Sequence, residues 1–153
     1  MQASPIAAQF SAPRDAFGRL RLDRHLRIDG RTAEFAAGDI GWLPIDGVHP
    51  SVMSCQHARP MGRFSGHNAV CDLLGLPLLE LRIDWYTTIL DLGTWGALYT
   101  EGWDRQVVAS GQTAKRTKEL INRIRIYPPD TSDPSAILSA AAPLVQAPPQ
   151  RFH

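Results

Sequence analysis

Between Arg19 and Asp23 charged and apolar residues alternate, Arg-Leu-Arg-Leu-Asp, which predicts a short half-exposed strand behind the turn signal Asp15-Ala16-Phe17-Gly18. A second turn at Asp29-Gly30 follows. The small apolar run from Glu34 to Asp39 predicts a closely packed, fully buried strand over Phe35 to Gly38, which Gly38 ends and which leaves the Asp39 carboxylate at the strand's carboxyl end. Trp42 to Pro50 reads as loop. A helix is expected to start within Ser51 to Ser54 and to reach Leu74, where Gly75 and Pro77 stop it, with Pro60 kinking it or delaying its start. Its buried face should run through Met61, Phe64, Val70 and Leu73 or Leu74.

Leu78 to Asp91 favours strand, since Ile83, Trp85, Tyr86, Thr87, Thr88 and Ile89 all prefer extended backbone. Gly93-Thr94-Trp95-Gly96 predicts a hairpin turn into a strand at Ala97 to Thr100, and Gln106 to Ala109 a third strand. A helix follows from Thr113 to about Arg125, with Leu120, Ile121 and Ile124 on one side. Tyr127-Pro128-Pro129 ends it. Asp133 then caps a short Ala-rich helix whose first position is Pro134. The tail from Pro143 is proline-rich and expected to be loose, and no internal repeat is found.

Length and composition narrow the classes. The chain has 153 residues, 44% of them hydrophobic, enough for a core. A formal net charge of +1 gives no electrostatic reason to expect nucleic acid as a partner. Two cysteines, Cys55 and Cys71, make no disulfide framework, and a reducing intracellular setting is expected. The N-terminus lacks the basic and apolar regions of a signal peptide, and the charge-free stretch from Ser135 to Gln150 is too short and too broken by proline to span a membrane. The 12 glycines include no pair in G-x-G spacing, so neither a Rossmann fingerprint nor a Walker loop is present.

Gly38-Asp39, followed by a helix start, is the first candidate for chemistry. A carboxylate there can accept a hydrogen bond from a polyol hydroxyl, and the helix N-terminus offers free N–H groups and partial positive charge. Alone, the dipeptide is better explained as a turn cap.

The dipeptide sits in a longer pattern. The run LRLDRHLRIDGRTAEFAAGDI, then HPSVMSCQHARPMGRFSGHN, then LDLGTWGALYTEGWDR resembles, in order and spacing, the late segment of flavoprotein oxidoreductases with two dinucleotide domains, in a bacterial branch of the type II NADH dehydrogenase-like proteins. The likeness extends to Pro129. It implies an α/β fold, α+β overall: the C-terminal end of a Rossmann-like FAD-binding domain over residues 1–76, a small antiparallel sheet with C-terminal helices over 77–129, and a short helix and proline-rich tail over 130–153. By this resemblance Asp39 would bond the ribityl chain of FAD, with Gly38 allowing close approach. Cys55, Gln56 and His57, matching the family's A-Q-x-A segment, would lie by the flavin's pyrimidine edge. The chain departs from the family where Cys55 replaces the usual Ala and where Pro60 stands for a second Gln. The resemblance further implies NADH as co-substrate, quinone or another acceptor, a homodimer, and a cytoplasmic protein peripheral on the inner face of the cell membrane. The fragment alone is expected to be inactive. A non-catalytic module binding membrane or a partner through its C-terminal sheet and basic helix is the alternative.

Three other constellations stay open at this point. His49, Cys55, His57, His67 and Cys71 could ligate a zinc ion, His67 and Cys71 being i, i+4 on the expected helix, or be free thiols and imidazoles, which the absence of paired knuckles favours. The aromatic residues Trp85, Tyr86, Trp95, Tyr99 and Trp103 could form an interfacial belt or a quinone entry wall, or pack a strand core, the last favoured. The basic helix from Lys115 to Arg125 could lie on anionic lipid or present a solvated charged face.

Overall fold

In the computed structural model, which describes residues 2–152, short strands make one parallel and one antiparallel sheet, and helices accompany both. The fold is mixed α/β, as the pattern implied. The chain divides into two units, the first containing residues up to Ile83 together with Leu138–Val145, the second Asp84–Ile137 and the residues from Gln146.

In the first unit β1 (Leu20–Arg21) pairs in parallel with β2 (Gly41–Trp42), Leu20 opposite Gly41. A Cβ at Gly41 would sit 2.6 Å from a methyl of Leu22, so any larger residue there would push the buried Leu22 side chain aside. Side-chain carboxylates build the surrounding turns. Asp15 accepts from the backbone N–H groups of Phe17 and Arg19 (both 2.9 Å) and from the Arg19 side chain at 2.7 Å. The buried Arg19 guanidinium in turn donates to the Ser51 carbonyl at 2.6 Å. Leu20, Leu22, Leu26, Ile28, Leu43 and Ile45 are buried from this part of the chain.

The strand expected over Phe35 to Gly38 does not form. Phe35 makes a single antiparallel bridge to Arg27, Ala36 N–H bonds to the Leu26 carbonyl at 3.0 Å, and the backbone then turns into a short 3₁₀ segment, Gly38–Ile40. Alanine packs little surface in a sheet, and Gly38, with no side chain, sits at φ +72°, outside the extended region.

Helix α1 (Cys55–Leu73) is the spine of the unit. Ser54 precedes it, so Pro60 lies inside its second turn and does not delay the start. The buried face differs from the expected one. Met61 and Phe64 are inside, but Val70, Leu73 and Leu74 are 57%, 85% and 64% exposed. The stripe runs instead through His57, Pro60, Met61, Phe64, Ser65, Asn68 and Cys71, at helical spacing but with polar members. The reason is visible at Asn68. Its amide donates to the carbonyls of His25 and Leu79 (both 2.8 Å) and accepts from Leu79 N–H at 2.9 Å, so two irregular segments are tied to the helix. Leu81 and Ile83 are buried just after that tie. The strand expected from Leu78 begins only at Thr87.

In the second unit β3 (Thr87–Asp91), β4 (Ala97–Glu101) and β5 (Gln106–Ser110) form an antiparallel sheet in sequence order, with a register shift between Tyr99 and Thr100. The β3–β4 hairpin turns through Gly93–Trp95 and Gly96, as expected. Helix α2 (Gly111–Leu120) continues as a π-helical turn, Ile121–Arg125, and packs on the sheet. Ala97, Tyr99 and Ala114 form its buried centre with Ile89, Val108 and Ala109 against them. The face of α2 turned inward is Ala114 and Thr117, whereas Ile124, from the apolar side set by Leu120 and Ile121, is 66% exposed. Lys115 pairs with Asp91 at 2.6 Å, so part of the basic face is committed within the unit. Among the aromatic residues, Tyr99 is core and Tyr86 stacks on Trp103 with centroids 4.3 Å apart, but Trp95 is exposed. Helix α3 (Pro134–Ala140) starts as expected, the Asp133 carboxylate accepting from Ser135 N–H at 3.0 Å. The tail is not loose. Tyr99 Oη donates to the Pro149 carbonyl and Thr117 Oγ1 to that of Gln150. No helix among the described residues is long and apolar enough to cross a membrane.

Replacing Asn68 by Leu leaves two carbonyls and one N–H without their partner, and should lower unfolding stability by about 3 kcal/mol in urea titrations. Among the glycines, Gly96→Ala places a Cβ 2.3 Å from the Gly111 backbone at φ +101°, whereas Gly62→Ala meets open space on an exposed helix turn. The first should cost at least about 3 kcal/mol and the second should add up to about 1 kcal/mol, read as opposite shifts in thermal midpoint.

Candidate functional site

The Gly38–Ile40 turn packs against α1, bringing the first two predicted site residues beside the helix that carries the other three. The closest measure is at Gly38, where a Cβ would stand 3.5 Å from the methyl of Ala58. Gly38 takes the left-handed backbone this turn needs, and Asp39 in the turn is exposed. Its carboxylate is therefore presented to solvent next to the start of α1, as a hydroxyl acceptor must be.

At the helix start, Cys55 is exposed, Gln56 half-buried and His57 fully buried. The three do not present equivalent groups. The His57 ring turns inward, where Nδ1 accepts from Val52 N–H at 2.9 Å and Nε2 lies 3.3 Å from the Gln56 amide. His57 as a whole is fully buried, so Cys55 is the outermost of the three. The Ser54 carbonyl accepts from His57 N–H (3.1 Å) and Ala58 N–H (2.9 Å), closing the first turn. Pro60 has no N–H to give the Gln56 carbonyl, which weakens the helix ladder at this point.

Burial pushes the His57 pKa down to about 4, against the opposing pull of the Asp46 carboxylate. The ring is neutral at physiological pH, and the Val52 N–H assigns its remaining proton to Nε2. Asp46 is itself shaped by the loop. Partial burial works to raise its pKa, but the N–H groups of His49 and Val48 (2.7 and 2.9 Å) and the His49 ring at 2.8 Å outweigh it and hold the carboxyl well below its ordinary range.

Two polar atoms here escape a reading of the sequence. Ser54 Oγ, one residue before the helix, and Trp42 Nε1, three residues after Asp39, are buried without a hydrogen-bond partner among the described residues. The position of Ser54 ahead of the helix is a signal for an N-cap, yet its side chain makes no capping bond. Trp42 carried no signal beyond its loop context. Of the five His and Cys residues considered for metal, His67 and Cys71 meet, Nε2 to Sγ 3.3 Å, and no group of three or more potential ligands is found among the described residues.

The buried neutral His57 makes stability pH-dependent. In the unfolded chain the ring takes up a proton near pH 6.5, in the folded chain only near 4. Its contribution is complete above pH 6.5 and is lost as pH falls from there through 4, a loss on the order of 3 kcal/mol. Urea unfolding at pH 7, 5.5 and 4 should show this fall, and His57→Gln should flatten it.

No protein-family model matches the chain. Two NADH dehydrogenase-like proteins of Mycobacterium tuberculosis, one from strain CDC 1551 / Oshkosh and one from strain ATCC 25618 / H37Rv, are each 54% identical to it over 149 residues. The match covers 97% of this chain and 37% of each relative, so the chain spans little more than a third of the curated relatives' length. Across nearly all of its residues the chain is thus similar to NADH dehydrogenase-like proteins, as its motifs implied, and is consistent with a C-terminal portion of such a protein.

Proposed function

We propose that this chain is part of a flavin-dependent NADH dehydrogenase of the type II kind, to which it contributes one side of the FAD site. The observation that carries the reading is the packing of the Gly38-Asp39 turn on the start of α1, in a chain 54% identical to NADH dehydrogenase-like proteins. The residues present suit the group. An exposed carboxylate can hold ribityl hydroxyls, a glycine with positive φ permits close approach, and Ser54 Oγ and Trp42 Nε1 lack partners among the described residues.

In this assignment Asp39 accepts hydrogen bonds from the ribityl chain, and the main chain at Cys55, Gln56 and His57 together with the Gln56 amide faces the pyrimidine edge. FAD, when bound, supplies hydride acceptance from NADH and onward electron transfer to a quinone or another acceptor. The protein's part is electrostatic and positional. The N-terminus of α1 favours negative charge beside it, and the neutral inward-facing His57 holds the loop from Val52 against the helix without adding charge. The exposed leucines and valine at the end of α1 suit a surface that further parts of such an enzyme would cover. Quinone as acceptor, a homodimer and a cytoplasmic position on the inner face of the membrane rest on the family likeness alone. The 153-residue chain, having no G-x-G loop to hold a pyrophosphate, is proposed to be inactive alone.

The test is flavin content. Protein purified at its full natural length should carry FAD, and Asp39→Ala should weaken its retention about tenfold, the loss expected for one charge-assisted hydrogen bond. A colourless natural-length protein that takes up no FAD overturns the reading, and salt-sensitive binding to liposomes without flavin absorbance would mark a non-catalytic membrane module instead. Tight FAD binding and NADH oxidation by the 153-residue chain would overturn its proposed inactivity.

A further inference from the structure

The tail of the second unit is held in an unusual way. Three side-chain donors meet three of its carbonyl groups: Arg125 donates to Ala147, Tyr99 Oη to Pro149 at 3.3 Å, and Thr117 Oγ1 to Gln150 at 3.1 Å. Past them, Arg151 makes a two-pronged ion pair with Glu101, with Nε to Oε1 at 2.8 Å. Pro149 is buried in this arrangement.

The chemistry of the segment explains the choice of partners. Pro148 and Pro149 have no N–H, so Ala147-Pro148-Pro149 cannot extend a sheet as a strand and offers mainly carbonyl acceptors. The surface that holds it presents donors: a phenol, a hydroxyl and a guanidinium. The proline rings fix φ, and each also keeps the residue before it extended, so the segment is preorganised and loses little entropy on docking. Glu101 lies two residues from Tyr99 on β4 and adds a charge contact that selects for a cation just past the two prolines. The donors are well placed for the task. Burial, with Glu101 nearby, pushes the Tyr99 hydroxyl up to about 12, so it stays protonated and able to donate.

We propose that Tyr99, Glu101, Thr117 and Arg125 form a recognition site for a proline-rich segment of the pattern Ala-Pro-Pro-Gln-Arg, occupied in cis by this chain's own tail. The site reads main-chain carbonyls for conformation and one arginine for identity. It lies in the second unit and is independent of flavin binding.

The test uses the full 153-residue chain and a fluorescent peptide copying residues 145–153, with binding read by anisotropy. The native chain should take up the peptide weakly, because its own tail occupies the site. Arg151→Glu in the chain turns the ion pair into repulsion with Glu101, and should tighten peptide uptake about tenfold. The converse pair should restore selectivity: Glu101→Arg in the chain should prefer a peptide carrying Arg151→Glu over the native peptide. As a second readout, Tyr99→Phe with Thr117→Val should speed tryptic cleavage after Arg151. A folded Arg151→Glu chain that binds peptide no better than the native chain overturns the proposal, as do equal cleavage rates. A native chain that is dimeric and becomes monomeric on Arg151→Glu would overturn the cis assignment, placing the tail on a second copy.

Discussion

The first unit depends on a fully buried amide, that of Asn68. Its two regular strands are only two residues long each, so most of its backbone polar groups have no ladder to join. Backbone N–H and C=O groups shut away from water must nevertheless be paired. Asn68 meets that demand for Leu79 by offering both a donor and an acceptor, as a neighbouring strand would, and for His25 by a second donation. Because Asn68 is on α1, the rigid element is what the loops are tied to. The same device recurs along the unit: Arg19 serves the Ser51 carbonyl, His57 the Val52 N–H, and Asp15, Asp23 and Asp46 the N–H groups of their own turns.

That construction places the candidate site. Two of these ties, at Ser51 and Val52, lie immediately ahead of α1, so the loop delivering the helix start is anchored from both the Arg19 side and the His57 side. The Gly38–Ile40 turn then rests on the anchored helix near Ala58. A binding surface made from loops can be well defined when the loops are bonded to a helix through side chains that hold fixed geometry, and His57, neutral and buried, is such a side chain. Its inward orientation also separates the roles of three consecutive residues that the sequence alone treats alike: Cys55 outward, Gln56 between, His57 structural.

What could be read from the sequence divides along the same line. Local chemistry was legible, since the Gly93–Gly96 hairpin turn, the Asp133 cap with Pro134 and the start of α1 each depend on a few adjacent residues. The stripe of α1 was not. Expecting apolar residues inside selects Val70 and Leu73, but the helix turns Asn68 and Cys71 inward, because what faces it there includes loop backbone that needs hydrogen bonds. Phe35 to Gly38 fails for a related reason. Its small residues are compatible with a buried strand, but nothing in the segment itself specifies a neighbour to pair with. At the site, Gly38 and Asp39 could be proposed from their motif, whereas the unpartnered Ser54 and Trp42 atoms become visible only when the surrounding chain is in place.

The second unit follows the more familiar rule, in which ladder bonds satisfy the sheet and Tyr99 and Ala114 fill the centre. Its exception is the tail, and the cause is again which groups lack a partner. A proline-rich window reads as loose because it cannot donate to a ladder, and that inference is correct for the N–H groups. It says nothing of the carbonyls. Those find donors on Tyr99, Thr117 and Arg125, between 22 and 50 residues earlier in the chain, and no local pattern joins them. Proline removes half of the backbone's hydrogen-bonding capacity and leaves the other half exposed, so a surface rich in donors can order a segment that its own composition would leave free.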